Sequence, residues 1–398
     1  RRREGVPFGP LDGVPFAVKD NIDVAGSRTT CGSMMRSNAP PASEDAAVIA
    51  AMRAIGMIPI GKTNLSEFAF SGLGLNPHFG TPAASFYHGA PRVPGGSSSG
   101  SAIAVQRGIV AAAIGTDTAG SVRVPAAFNG LVGYRASQAR YDMRGVHPLA
   151  VTLDAIGPIA HTVEDCVLLD GAMRGCATVD ARPVSLRRIR CVVEASVLED
   201  PRLQPEIGDN LRRAVDWLRQ CGIQVQERPV EAFVRARELI ATQGWLGAIE
   251  AWSLLRSVVE GERGDRLDPR VRDRLLAAKT IDALAEQRIR AERIELMRSI
   301  RHELGEDAVL ITPAVKHVAP LLAPLEADEA LFAALNLETL SLTMPGSLLD
   351  MPGIAMPSGL DREGLPTSML ISVPQGHDDR LLRSSLAIER VLREQPIH

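Results

Sequence analysis

Short apolar runs separated by glycine-, serine- and proline-rich loops fill the first 175 residues, the alternation expected when strands and helices take turns. Val14 to Val18 predicts a strand. From Asp45 to Ile55 apolar residues recur at helical spacing, with Ser43 as the expected N-cap and Glu44 in the first turn. Gly56 ends that helix, and Met57 to Ile60 predicts a buried strand after it. Ser101 to Gln106 predicts a helix of small residues, and Ile109 to Ile114, which carries no charge, a central strand.

The pattern changes near Cys176. Between residues 186 and 305 arginine and glutamate dominate and the period becomes helical. Pro269 to Glu303 predicts one or two amphipathic helices. Ala308 to Thr312 then predicts a buried strand ending at Pro313. Gly353 to Pro357 and Thr367 to Val373 predict two more strands, and Asp378 to Leu392 a closing helix. No internal repeat or low-complexity linker divides the chain. The expected organisation is one α/β domain over residues 1–398: a core in 1–175, a mainly helical elaboration in 186–305, and a return to the sheet in 306–398.

Composition narrows the function. The 398 residues are 45% apolar and 23% charged, the proportions of a globular protein with a sizeable core. A net charge of −3, with 4% aromatics, argues against a nucleic-acid module, a membrane-surface protein and a disordered scaffold. Five cysteines (Cys31, Cys166, Cys176, Cys191, Cys221) form no C-x-x-C pair, which suits a reduced, cytoplasmic setting. The longest apolar candidate, Ala102 to Gly115, is interrupted by Gln106 and Arg107, so no membrane span is expected. Arg1-Arg2-Arg3-Glu4 lacks the apolar stretch of a signal peptide, and without an initiator methionine further N-terminal sequence is expected. Only Lys19, Lys62, Lys279 and Lys316 are available for lysine chemistry. The eight histidines are scattered without ligand spacing, so no metal is expected.

Candidate chemistry lies in two glycine-serine turns. Residues 95 to 101 read Gly-Gly-Ser-Ser-Ser-Gly-Ser ahead of a helix, where backbone amides can gather around an anion. One helix and one strand later comes Gly115-Thr-Asp-Thr-Ala-Gly-Ser121-Val-Arg-Val-Pro125, the end of a buried strand where open α/β sheets place ligands. Gly96-Ser97-Ser98-Ser99-Gly100 also fits Gly-x-Ser-x-Gly, which would make Ser98 the nucleophile of an elbow. That reading needs a strand directly before the turn, and Pro91 and Pro94 oppose one. No Lys-Ser/Thr follows the glycines, so this is not a phosphate loop. A plainer alternative is that these serines cap helices and turns.

These two turns, together with Gly13-Val14-Pro15-Phe16-Ala17-Val18-Lys19-Asp20-Asn21, Gly61-Lys62-Thr63-Asn64, Ser66-Glu67-Phe68, Gly157-Pro158, Thr312-Pro313 and Gly364-Leu365-Pro366, resemble the amidase signature family. The resemblance is close over residues 5 to 175, loose over 308 to 392, and absent between. It implies a mixed, twisted sheet flanked by helices, with the active site at strand ends. It also implies a catalytic triad of Ser121 as nucleophile, Ser97 as relay serine after a cis peptide, and Lys19 as base. Thr118, Ala119, Gly120 and Ser121 would supply the oxyanion hole, with Asp117, Arg123 and Ser98 in support. Lys62 is the rival base and reads as structural.

The chemistry is coherent. An amide carbonyl needs an activated hydroxyl, and a buried lysine can hold the neutral amine that accepts its proton. The resemblance thus implies hydrolysis of a carboxylic amide to acid and amine or ammonia through an acyl-enzyme, with no cofactor. The alternative is the glutaminase-type A subunit of a tRNA-dependent amidotransferase. The expected partner is a small-molecule amide, with no nucleic acid bound directly and no membrane; a homodimer is left open. Ala119 and Ser99 stand where relatives often have glycine, and Ser347 where they often have asparagine. Residues 232 to 303 are expected to shape the acyl pocket, with Trp245, Leu246, Trp252 and Leu255 as candidate lining.

Overall fold

The computed structural model describes residues 9–84, 89–176 and 178–394. The Arg1-Arg2-Arg3-Glu4 reading lies outside them. Ten strands form one mixed sheet: β1 (Pro15–Lys19), β2 (Ile58–Thr63), β3 (Ala112–Asp117), β4 (Val132–Arg135), β5 (Ala155–Ala160), β6 (Arg190–Glu194), β7 (Gln224–Arg228), β8 (Ala308–Pro313), β9 (Gly353–Leu360) and β10 (Pro366–Ser372). Their order across the sheet is β2-β1-β3-β5-β4-β9-β10-β8-β6-β7. The α/β class and the mixed sheet match the expectation.

β1 lies between β2 and β3 and is parallel to both, which requires crossover connections. Helix Ala47–Ala54 supplies one, burying Val48, Ile49 and Met52, and helix Ser99–Gln106 the other. This arrangement brings the carboxyl ends of β1 and β3 side by side, with Val18 in register with Ile114. β5 runs antiparallel on the other side of β3 and pairs Gly115 with Gly157. A Cβ on Gly157 would lie 1.6 Å from the Tyr134 carbonyl oxygen, so the backbone approach across this part of the sheet requires glycine. One large apolar cluster gathers under helices Ala47–Ala54, Val163–Met173, Pro205–Gln220 and Asp378–Arg393; a second packs beneath Glu231–Gln243 and Ala283–Leu304. Among the described residues no helix is long and apolar enough to cross a membrane.

Several expectations shift. Ser43 is not the N-cap: the helix begins at Ala47, its cap position is Ala46, and no side chain caps it. Asp45 instead accepts the Ala25 N–H and pairs with Arg53. The strand predicted over Ile109–Ile114 starts at Ala112, because Gly108 turns the chain at φ 68° and leaves Ile109 exposed on the surface. β2 is an edge strand with Ile58 and Ile60 about half exposed rather than buried. The arginine- and glutamate-rich segment contributes β6 and β7 as well as helices, and both run parallel to β8. Residues 269 to 303 hold two helices, Pro269–Ala278 and Ala283–Leu304.

Candidate active site

Lys19 closes β1, and its whole side chain is buried. Its Nζ donates to Ser97 Oγ at 2.7 Å and to Thr116 Oγ1 at 2.8 Å, with the Thr116 carbonyl at 3.3 Å. Asn21 Nδ2 donates to the same Thr116 hydroxyl at 3.0 Å, fixing that acceptor in place. Burial pushes the Lys19 ammonium down to about 7, against the opposing pull of Asp117 and Asp154. Lys62, one strand over, is different. It pairs with Asp20 at 2.9 Å and donates to the Ile22 carbonyl and Thr29 Oγ1, so its charge is neutralised at the sheet edge.

Ser97 follows a cis Gly96–Ser97 peptide and is fully buried. The next residue ties the two turns together: Ser98 N–H donates to the Ser121 carbonyl at 3.2 Å, and its hydroxyl lies against the Thr116 carbonyl at 3.4 Å. Residues 90 to 94 form only isolated bridges at Arg92, to Ala84 and Leu321, so no strand leads into the turn as an elbow at Ser98 would need. Among the described residues the Ser97 and Ser121 hydroxyls are each free of a direct hydrogen bond to the other.

The second turn hangs on one ion pair. Asp117 ends β3, and its carboxylate accepts Arg123 Nε and Nη2, both at 2.9 Å, together with the backbone N–H groups of Val122 and Arg123. Burial works against the carboxylate here, but Arg123, Arg135 and the backbone N–H outweigh it and hold Asp117 below the usual carboxylate range. Arg123 also donates to Ser347 Oγ at 2.7 Å and to the Thr343 carbonyl. Between Asp117 and Arg123 the backbone turns through Thr118, Ala119, Gly120 and Ser121. Among the described residues none of these four N–H groups donates to a protein acceptor. A Cβ on Gly120 (φ 140°) would meet Thr343 Oγ1 at 2.3 Å, and that hydroxyl donates to the Ala119 carbonyl at 2.5 Å.

Asp154, Thr116 and Asn21 had no assigned role in the sequence reading. Asp154 accepts the Thr118 hydroxyl at 2.5 Å and the N–H groups of Leu149 and Ala150. Burial pushes its carboxyl up to about 6 against those hydrogen bonds and Lys19. Thr116 and Asn21 lie inside the quoted motifs, whereas Asp154, three residues before Gly157-Pro158, carries no spacing signal of its own.

A cavity of about 320 Å³ opens beside Ser121, Thr118 and Ala119. Of the four lining candidates only Trp245 faces it; Leu246 packs into the core beneath the helices, and Leu255 and Trp252 into another cluster. The missed lining includes Phe70, Arg274, Asn336, Leu337 and Met344. Among the described residues no group of three or more His, Cys, Asp or Glu side chains is placed to hold a metal.

The family described as Amidase matches residues 1–382. The chain belongs to the amidase family. It is thus an enzyme of the amide-hydrolase class, acting on carbon–nitrogen bonds. The matched span includes residues 186–305, where the motifs alone show no resemblance. Among similar proteins, the 2-amino-5-chloromuconic acid deaminase of Comamonas testosteroni is 33% identical over 98% of this chain and 84% of its own length. The mandelamide hydrolase of Pseudomonas putida is 32% identical over 97% and 80%. The A subunit of the glutamyl-tRNA(Gln) amidotransferase of Syntrophobacter fumaroxidans is 32% identical over 96% and 84%. A crystal structure of an amidase matches this amidase-family fold with a TM-score of 0.84 at 30% identity, over 98% of this chain and 87% of that one.

Proposed function

We propose that the enzyme hydrolyses a small carboxylic acid amide to the acid and an amine or ammonia through an acyl-enzyme on Ser121. The observation that carries this reading is the 2.7 Å contact between Ser97 Oγ and a fully buried Lys19 Nζ whose proton is held only up to about pH 7. In the neutral amine that contact reverses, with the Ser97 hydroxyl donating to Nζ. Ser97 then takes the Ser121 proton as its oxygen attacks the amide carbon, and the proton returns to the leaving nitrogen when the C–N bond breaks. The N–H groups of residues 118–121, without a protein acceptor among the described residues, are available to the oxygen that becomes negative. Asp117 and Arg123 hold that turn, and water releases the acid from Ser121. No step calls for a cofactor. A reducing, cytoplasmic setting fits cysteines that form no disulfide.

A fluorophosphonate probe tests the assignment. Its mass is expected on the peptide that contains Ser121 and lost in Ser121→Ala; labelling on Ser98 would overturn it. A second reading, the A subunit of a tRNA-dependent amidotransferase, draws on the 32% identical relative of that name. Turnover of simple amides by the purified chain, without ATP or a second protein, supports the hydrolase. Ammonia release from glutamine only with added amidotransferase subunits would support the other.

A further inference from the structure

The cavity beside Ser121 is apolar over most of its wall, yet it contains a cation. Among the described residues Arg274, on helix Pro269–Ala278, is the only lining side chain of the cavity that carries a formal charge. Its guanidinium lies over the Phe70 ring, 4.4 Å from the centroid, and Nη1 donates to the Phe70 carbonyl at 2.6 Å. Among the described residues no carboxylate lies within ion-pair distance of Arg274. The neighbouring acid, Asp268, is occupied by Arg270 through Nε at 2.8 Å and Nη2 at 3.0 Å. Burial lowers the Arg274 guanidinium to about 10, still charged at neutral pH. Arg274 is half-buried and, beyond Phe70, has no anionic partner among the described residues, so it presents its charge to an anion that enters the cavity.

Asn336 stands on the same cavity wall and is buried. Its Oδ1 accepts the Ser71 hydroxyl at 3.1 Å and the Gly72 N–H at 2.8 Å, which fixes the orientation of the amide. Both Nδ2 hydrogens are therefore left without an acceptor among the described residues. Among the described residues the wall offers donors from two elements and no side-chain carboxylate.

We propose that this cavity selects amides bearing a second, anionic group, in the manner of a monoamide of a dicarboxylic acid, with Arg274 receiving the free carboxylate and Asn336 donating beside it. The assignment rests on the reading of Ser121 as the acylated residue. A single guanidinium fork matches one carboxylate and neutralises one charge. The apolar remainder of the wall suits the hydrocarbon between that carboxylate and the amide.

The test compares the monoamides of succinic, glutaric and adipic acid with neutral amides of the same length that end in a methyl group. For the best chain length the wild-type enzyme is expected to favour the carboxylate form by about 100-fold or more in kcat/KM. In Arg274→Gln that ratio is expected to fall near unity, mainly through KM, and Arg274→Lys to restore part of it. A wild-type ratio at or below unity would overturn the proposal. So would an Arg274→Gln variant that slows both substrates equally, since that is what a prop for Phe70 would do. Calorimetry with the free dicarboxylates separates this site from the reaction. Binding by Ser121→Ala that disappears when Arg274→Gln is added, with no amide turned over by the wild type, sustains the anion site and overturns the hydrolase reading. Turnover of neutral amides with no dicarboxylate bound does the reverse.

Discussion

Side-chain hydrogen bonds join Lys19 to Ser97 and Thr116, and Asp117 to Arg123, at the ends of two strands and the starts of two helices. Across the cavity, Trp245 and Ile281 stand just before helices Leu246–Val259 and Ala283–Leu304, Leu337 lies on helix Glu329–Leu340 and Met344 begins another, and they present mostly apolar atoms. The first region tolerates few residue types, because each buried donor and acceptor must find a partner of the right kind. The second needs only volume and shape, which many apolar combinations supply. On the proposed reading, chemistry is concentrated in the first region and selectivity in the second.

The comparison breaks most visibly at the lysines. Lys19→Ala is expected to lower kcat by ~10²–10⁴-fold, the range for a lost general base. Lys62→Ala removes a partner of Asp20 at the sheet edge and is expected to cost about 1–3 kcal/mol of stability while kcat stays close to wild type. The pH profile gives the sign. Only the neutral amine accepts the Ser97 proton, so kcat/KM should rise with pH through about 7, where Lys19 loses its proton. Asp154 titrates nearby at about 6, and the two charges attract, so the apparent midpoint belongs to the pair. If Lys62→Ala removes this limb and Lys19→Ala keeps it, the base has been misassigned.

Within the same polar region, Asp117 is expected to matter through structure. Asp117→Ala leaves Arg123 buried without its carboxylate partner, which costs about 3–5 kcal/mol. Urea unfolding should show that loss, and activity should fall with it because the turn over residues 118–121 loses its anchor. Asp45→Ala offers the contrast: its partner Arg53 is well exposed, so a change of ~1 kcal/mol or less is expected. Equal effects of the two substitutions would show that the ion pair at Asp117 does not brace the turn.

How far the sequence could be read follows the same division. β1 and β8 are found within a residue of the expected ends, and the closing helix begins at Asp378 as expected, because their apolar runs are bounded by turns. The polar residues quoted from the two turns come together in space. β7 escaped notice: Gln-Val-Gln-Glu-Arg is an edge strand with much of its surface exposed, and its polar residues resemble the surrounding helices. β4 has only four residues, and β5 carries Gly157 and Pro158 in its middle, which read as a turn rather than a strand. The cavity wall was unreadable for a further reason. Phe70, Arg274 and Asn336 are far apart in the chain, and only tertiary packing makes them neighbours.

The smallest expected effect concerns that wall. Trp245 faces the cavity, whereas Trp252, seven residues later on helix Leu246–Val259, packs against another cluster with Lys279 Nζ 5.5 Å from its ring centroid. Trp245→Ala enlarges the space open to the acyl group without touching any hydrogen bond of the Lys19 network. Each methylene accommodated in an apolar pocket is worth about 1–3 kcal/mol, so selectivity should move toward longer or bulkier amides by roughly tenfold or more in kcat/KM. Trp252→Ala should lower the unfolding midpoint and leave the ranking of substrates in place. A panel of amides of increasing size, measured on both variants, reads the difference. If Trp252→Ala reorders the panel and Trp245→Ala does not, the wall that sets selectivity lies on the other side of this helix. If both variants lose kcat without reordering, the helical region supports the catalytic network rather than selecting what reaches it.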